Sequence, residues 1–393
     1  MTAGQNDTSG SARTTQAESS ALGASPFCLE SPGTIGEVSS THSSHVSKND
    51  FEIVGLIGHG HSGTIVQLVK LRQTGSFYAM KTIDKWALIE KRNSGDVKAI
   101  DRANAERNLH VTLSSKSPES SSCIFDCPYF VKFYYSFQTP RNLYYILEYC
   151  GVDVLEYINQ FGRLSSELTT YFLAELSVAV EALHKSGSIH RDIKIDNILI
   201  SQTGHIRLSD FGSSKKVSES TRCDSIVGFS LSIMPPEFFG GEPSYGSAID
   251  WFQVGICAFE VLTGTSPFHG RPLTRVNSPD YPPVWPSELQ ISSSLKDLIA
   301  GLLRPDESDR IDSLDKVRHH PSMVKVDWEA VKEGAGQAPF PLSLLDEEDG
   351  RPKLMPPFLS EESGSEIGGS MDGLAFDPLP FKSFSYIRHP SNY

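Results

Sequence analysis

The sequence predicts an α+β fold of two lobes, the first small and β-rich, the second larger and helical. Two observations predict it. Short β-branched runs separated by turns fill residues 51–147, and beyond Cys150 the apolar residues recur three or four apart. A third bounds the folded part: Ser, Thr and Gly crowd residues 1–48, and acidic, Pro- and Gly-containing stretches occupy residues 321–393.

Charge and composition narrow the setting. The 393 residues carry 35 Lys+Arg against 48 Asp+Glu. That acid excess argues against a nucleic-acid partner, which calls for a basic stripe. No apolar run approaches the ~18 residues of a spanning helix. The first twenty residues, "MTAGQNDTSGSARTTQAESS", have no apolar core of a secretory signal. Neither membrane insertion nor secretion is therefore expected. Six scattered cysteines suit a reducing compartment, so the cytoplasm is the expected location, with the nucleus left open. Cys123 and Cys127 have half of a zinc spacing, but no second pair accompanies them, and two loop thiols is the better reading.

The elements follow in order. Residues 1–48 hold too few large apolar side chains to offset their ordering entropy and are expected to be disordered. "FEIVGLIG", "TIVQLVKL" and, after the turn "RQTG", "SFYAMKTI" read as an antiparallel meander. "AIDRANAERNLHVTL" has helical composition, "SSKSPESSSC" is a polar insertion, and "YFVKFYYSF" and "NLYYILEY" read as two more strands. Leu168, Phe172, Leu176, Ala179 and Leu183 form one helical stripe, stopped at Gly187. "AIDWFQVGICAFEVLTG" and "SSLKDLIAGLL" read as further helices, the first apolar enough to be buried.

The chemistry-bearing residues sit between these elements. Gly58, Gly60 and Gly63 lie in a turn between two strands, where backbone N–H groups can approach phosphate oxygens. A hairpin needs such glycines for its turn alone, so they are weak by themselves. A strand follows them, which excludes the dinucleotide-binding form. Lys81 ends an apolar strand, and Glu106 in the next helix is its candidate partner. In "SIHRDIKIDNILI", Asp192 and Asn197 share a loop, and the hairpin beyond delivers Asp210 in "LSDFG". Asn197 and Asp210 offer the hard oxygens that Mg²⁺ prefers beside phosphates. Asp192 is then free to orient a hydroxyl and accept its proton, with Lys194 balancing charge on a phosphoryl group.

These spacings together resemble the protein kinase signature set over about residues 51–320: glycine loop, strand lysine, "HRDxKxxN", "DFG" and a "PE" element. The resemblance implies a small lobe (51–147) and a large lobe (148–320) clamping Mg-ATP. It implies that Ile57, Gly58, His59, Gly60, His61, Ser62, Gly63, Thr64 and Ile65 cover the nucleotide. Ala79 and Leu199 would sandwich the base, Glu148 and Cys150 would meet it through their backbones, Leu147 would stand behind it, and Asp153 would reach the ribose. Lys81 with Glu106 would hold phosphates, Asn197 and Asp210 the Mg²⁺, and Asp192 and Lys194 would be catalytic. Lys194 after "HRDI" is similar to the serine/threonine class.

The C-terminal "FKSFSY", residues 381–386, resembles the hydrophobic motif of AGC kinases, and residues 326–342 resemble the start of their C-terminal extension. That implies Phe381 and Phe384 docking near the Glu106 helix, and regulation at Ser385 and at Ser225 by an upstream activating kinase. Arg191 and Lys215 would receive a phosphate on Ser225. Asp153, Asp196 and Glu260 match acids that receive substrate arginines, so the implied partners are proteins with basic residues near the target hydroxyl. Glu237 has a candidate ion-pair partner in Arg310, and Asp250-Trp251 matches the helix start that braces the catalytic loop. Three stretches depart from the family: Ser62 replaces the loop-tip aromatic, "DSIVGFSLSIMPPEFF" (with Ser230) is altered, and "RPLTRVNSPDYPPVWPSELQ" is rich in proline. They motivate one rival reading, a nucleotide-binding pseudokinase acting as a scaffold. A small-molecule kinase is disfavoured by the tail.

Overall fold

The computed structural model describes residues 46–59, 64–114, 127–217, 222–224, 233–239, 244–268, 283–340, 384 and 386–387. Outside them lie Gly60, His61, Ser62 and Gly63 of the glycine loop, Ser225, Ser230, Phe381, Ser385, Cys123, residues 1–45 and residues 341–383.

The small lobe is an antiparallel sheet with two helices packed on one face. Strands β1 (Phe51–His59), β2 (Thr64–Leu71) and β3 (Phe77–Asp84) form the expected meander. Helices α1 (Lys85–Asn93) and α2 (Ala99–Ser114) interrupt it before β4 (Phe133–Gln138) and β5 (Asn142–Glu148). The sheet order is β1-β2-β3-β5-β4, so β5, not β4, lies against β3. Helix α1 is not among the expected elements; Asp84, whose carboxylate accepts from Trp86 N, caps it. Alternation buries both sheet faces. Phe51, Val69, Met80 and Ile146 pack on one, and Ile83, Phe133, Leu143 and Tyr145 meet α1 and α2 on the other.

The large lobe is built around α4 (Ser166–Lys185) and α5 (Ala248–Thr263), with α3 (Val154–Phe161), α6 (Ser293–Leu302), α7 (Leu314–Arg318) and α8 (Trp328–Glu333) around them. Ser165 caps α4, and Gly187, at φ 74°, turns the chain out of it as expected. Of the sixteen residues of α5, fourteen are buried, which its continuous apolar sequence demands. Short pairs β6 (Ser188–Ile189) with β9 (Lys215–Lys216), and β7 (Ile198–Ile200) with β8 (Ile206–Leu208), frame the loop between them.

The chain beyond residue 320 begins as part of the large-lobe core. Phe340 is buried against Tyr157 and Phe172, and its N–H donates to Gly204 O at 3.2 Å. Gly204, at φ 78°, is required there because a Cβ would collide with the Phe340 carbonyl. A last strand, β10 (Tyr386–Ile387), then pairs antiparallel with β4 and extends the small-lobe sheet to six strands. No helix among the described residues is long and apolar enough to cross a membrane.

Candidate active site

Three elements far apart in sequence converge on one lysine. Lys81 Nζ on β3 lies 2.6 Å from Glu106 Oε1 on α2 and 3.0 Å from Asp210 Oδ1 after β8. Burial disfavours the ammonium, but the carboxylates of Asp210 and Glu106 outweigh it and hold Lys81 charged. Lys81 in turn pulls the half-exposed Asp210 down to about 2. Burial pushes Glu106 upward against the pull of Lys81. Glu106, the partner inferred for Lys81 from sequence, lies beside it, and Asp210 is a second.

The loop that carries Asp192 and Asn197 is tied to α5. Asp250, wholly buried at the start of that helix, accepts from His190 N and Arg191 N, both at 2.8 Å, and pairs with His184 at 2.7 Å. Gln253, one turn on, accepts from Ile193 N at 2.9 Å and donates to Arg191 O at 3.0 Å. These bonds hold Arg191 at φ 73°, a costly conformation for a residue with a Cβ. Among the described residues the only other non-glycine at positive φ is Asp210, at 57°. The two strained backbones thus flank the proposed chemistry. His190 bridges them: Nε2 donates to Ser209 O at 3.0 Å, leaving Nδ1 to accept from Asp192 N.

Within this frame Asp192 Oδ2 stands 3.0 Å from Asn197 Nδ2 and 3.4 Å from Lys194 Nζ. Asn197 Nδ2 also donates to Asp192 O at 2.8 Å. With its amide donors committed to Asp192, Asn197 is left its carbonyl oxygen for a ligand. That oxygen and the half-exposed, strongly acidic Asp210 make a donor set of the hard type that fits Mg²⁺. Among the described residues no cluster of three His, Cys, Asp or Glu side chains forms a further metal site.

The other expected contacts divide. Ala79 is buried on β3, and Leu199 and Leu147 are half-buried on β7 and β5. Ile57, Gly58 and His59 end β1, and Thr64 and Ile65 open β2. Glu148 carries a role the sequence did not reveal: its carboxylate accepts from Arg207 Nε at 2.9 Å and from Lys132 N at 3.2 Å, pinning the segment that leads to Cys150. Asp153 caps α3, a helix not among the expected elements, accepting from Glu156 N at 2.7 Å. Burial pushes Asp153 up to about 6, and burial with Asp196 nearby pushes Glu260 up to about 7. Glu237 and the fully buried Arg310 form the expected pair, bidentate at 2.9 and 3.0 Å. Arg191 spends its Nε on Ser213 O and its Nη1 on Tyr245 Oη, while Lys215 lies 4.0 Å from Asp224.

Four rings run through the site, two of them, His190 and Phe211, from the quoted motifs and two, Phe133 and His110, without any sequence signal beyond their aromaticity. Phe133 stacks on His110 at 5.0 Å, His110 meets Phe211 at 5.0 Å, and Phe211 meets His190 at 5.4 Å. Burial drives His110 down to about 3, so the imidazole is neutral in this stack.

Residues 51–323 match the protein kinase domain family. The chain belongs to that family. Human serine/threonine-protein kinase MRCK gamma is 30% identical over 89% of this chain and 22% of its own length. Human citron Rho-interacting kinase is 31% identical over 87% of this chain and 16% of its own, and Saccharomyces cerevisiae serine/threonine-protein kinase SCH9 is 31% identical over 79% and 36%. The kinase chain therefore spans about a fifth of the length of the first of these relatives. The AGC serine/threonine branch read from the C-terminal motif agrees with them.

Proposed function

We propose that the chain transfers the γ-phosphoryl group of Mg-ATP to serine and threonine hydroxyls of proteins. The observation that carries this is the closed charge set of Lys81, Glu106 and Asp210 beside Asp192 and Asn197. A scaffold that only bound nucleotide would not need Asp192, whose carboxylate is held by Asn197 and Lys194 next to the nucleotide ligands.

Lys81 holds nucleotide phosphates, positioned by Glu106. Asn197 and Asp210 would hold Mg²⁺, which would supply charge neutralisation on the phosphates. Asp192 orients the substrate hydroxyl and accepts its proton, and Lys194 offsets charge on the transferred group. Glu148 and Cys150 present backbone groups to adenine between Ala79 and Leu199. Asp153, Asp196 and Glu260 favour substrates with arginine near the target, since their crowding leaves negative charge without a cation among the described residues. Phosphates on Ser225 and Ser385, added by an upstream kinase, regulate the site.

The test is γ-phosphate transfer from Mg-ATP to an arginine-rich serine peptide library, with Asp192→Asn as control. Transfer that disappears in the control supports the reading. Nucleotide binding without transfer, from a chain phosphorylated at Ser225 and Ser385 as well as from the untreated chain, sinks it and leaves the scaffold.

A further inference from the structure

We infer that Tyr145 is a positioning residue that transmits docking of Phe384 to the Lys81–Glu106 pair. The inference rests on the kinase reading for the meaning of that pair, and on the following geometry for the coupling itself. Tyr145 lies on β5, fully buried. On its outer side the Phe384 ring meets it edge to face at 5.2 Å and 86°. On its inner side lie the His110 ring at 6.2 Å and the Lys81 ammonium, 6.0 Å from the ring centre. Its hydroxyl donates to Ala103 O at 2.9 Å, one turn before Glu106 on α2.

One side chain thus touches the docked tail, the catalytic lysine, the helix carrying Glu106 and the ring stack that ends at His190. A buried leucine would fill the same space without fixing the depth of α2, because only the hydroxyl reaches the helix backbone. Phe384 completes the clamp. Its carbonyl accepts from Arg107 Nε on α2 at 3.2 Å and from Ser136 Oγ on β4, so the same tail residue holds the helix and the sheet together. Removing the Phe384 ring frees the outer edge of Tyr145, loosens the Ala103 bond, and lets Glu106 drift from Lys81.

The experiment is a double-mutant cycle in the full chain with Phe384→Ala and Tyr145→Leu, and with Tyr145→Phe as the variant that keeps the packing. Amide hydrogen exchange over α2 is read first, and phosphoryl transfer second. Phe384→Ala should raise α2 exchange about tenfold in the unmodified chain and hardly at all once Tyr145 is leucine. Tyr145→Phe should lower kcat about fivefold, the worth of one buried hydrogen bond, with the peptide KM unchanged. Independent effects, in which Phe384→Ala raises exchange equally in all three backgrounds, overturn the inference. Non-additive exchange in a chain that transfers no phosphate leaves the coupling standing and removes the phosphoryl-transfer reading instead.

Discussion

The two halves of the site are secured by different means. In the large lobe, Asp192 and Asn197 ride on a loop whose backbone is tied to α5, and fourteen of the sixteen residues of that helix are buried. In the small lobe, Glu106 rides on α2, where six of sixteen residues are buried and two of those six, Glu106 and His110, are polar. A helix with so little apolar area to bury is held weakly by its own packing. Phe384, whose carbonyl accepts from Arg107 on the helix, and Tyr145, whose hydroxyl donates to Ala103 O, supply contacts from outside it. The large-lobe half is therefore held by a deeply buried helix, and on the proposal above the small-lobe half depends on what docks beside α2. Switching is cheapest where the native contacts are fewest.

The comparison can be broken at either end. Asp192→Asn should lower kcat by about 10²–10⁴-fold, the contribution of a positioned base, while ATP affinity measured by titration stays as it was. A parallel loss of ATP binding would show that the loop is not held by α5 as described. Arg310→Ala leaves Glu237 half of a broken buried pair and should cost about 3–5 kcal/mol of large-lobe stability. Calorimetry should show a lowered Tm. An unchanged Tm would mean the large lobe draws little from this pair.

At the conditional end, Phe384→Ala removes a ring that is 1% exposed and should lower transfer about tenfold by releasing α2. The Tm of the large lobe should not move, which a partial-unfolding measurement can separate. The smallest effect is a pH dependence of peptide recognition. Glu260 at about 7 and Asp153 at about 6 are raised by burial, so arginine binding, which needs both ionised, is present above about 7 and lost as pH falls through 7 to 6. KM for an arginine peptide should rise over that window, and KM for its arginine-free counterpart should not. The sign for stability is opposite: a raised acid favours the protonated fold, so its contribution declines as pH rises toward the folded value. Glu260→Gln should therefore raise Tm at pH 8 while weakening the arginine peptide. A variant that lost stability would show Glu260 to be structural.

Much of the site was legible because it is built from short motifs. Asp192, Lys194 and Asn197 fall within six residues, and local spacing is what a sequence displays directly. The Glu237–Arg310 pair was legible only through the family resemblance, whereas Glu106 was a candidate for Lys81 because a buried lysine needs a carboxylate and the next helix offers one. Helix α1 was overlooked although Asp84 before "KWALIEKRN" is a capping signal, and α3 although Asp153 precedes "VLEYINQF" in the same way.

By itself the sequence determined the five main strands of the small lobe and the helices α2, α4, α5 and α6, because alternation and three-to-four spacing report local burial. It also determined which charged groups are present to do chemistry. Only the tertiary structure decided that Lys81 meets Asp210 across 129 residues, that β10 joins the sheet beside β4, and that Arg191 and Asp210 are held at positive φ. It alone placed Tyr145 between Phe384 and Ala103. Periodicity states that a side chain is buried, and packing chooses against what. That choice depends on all the elements at once, and no local window contains it.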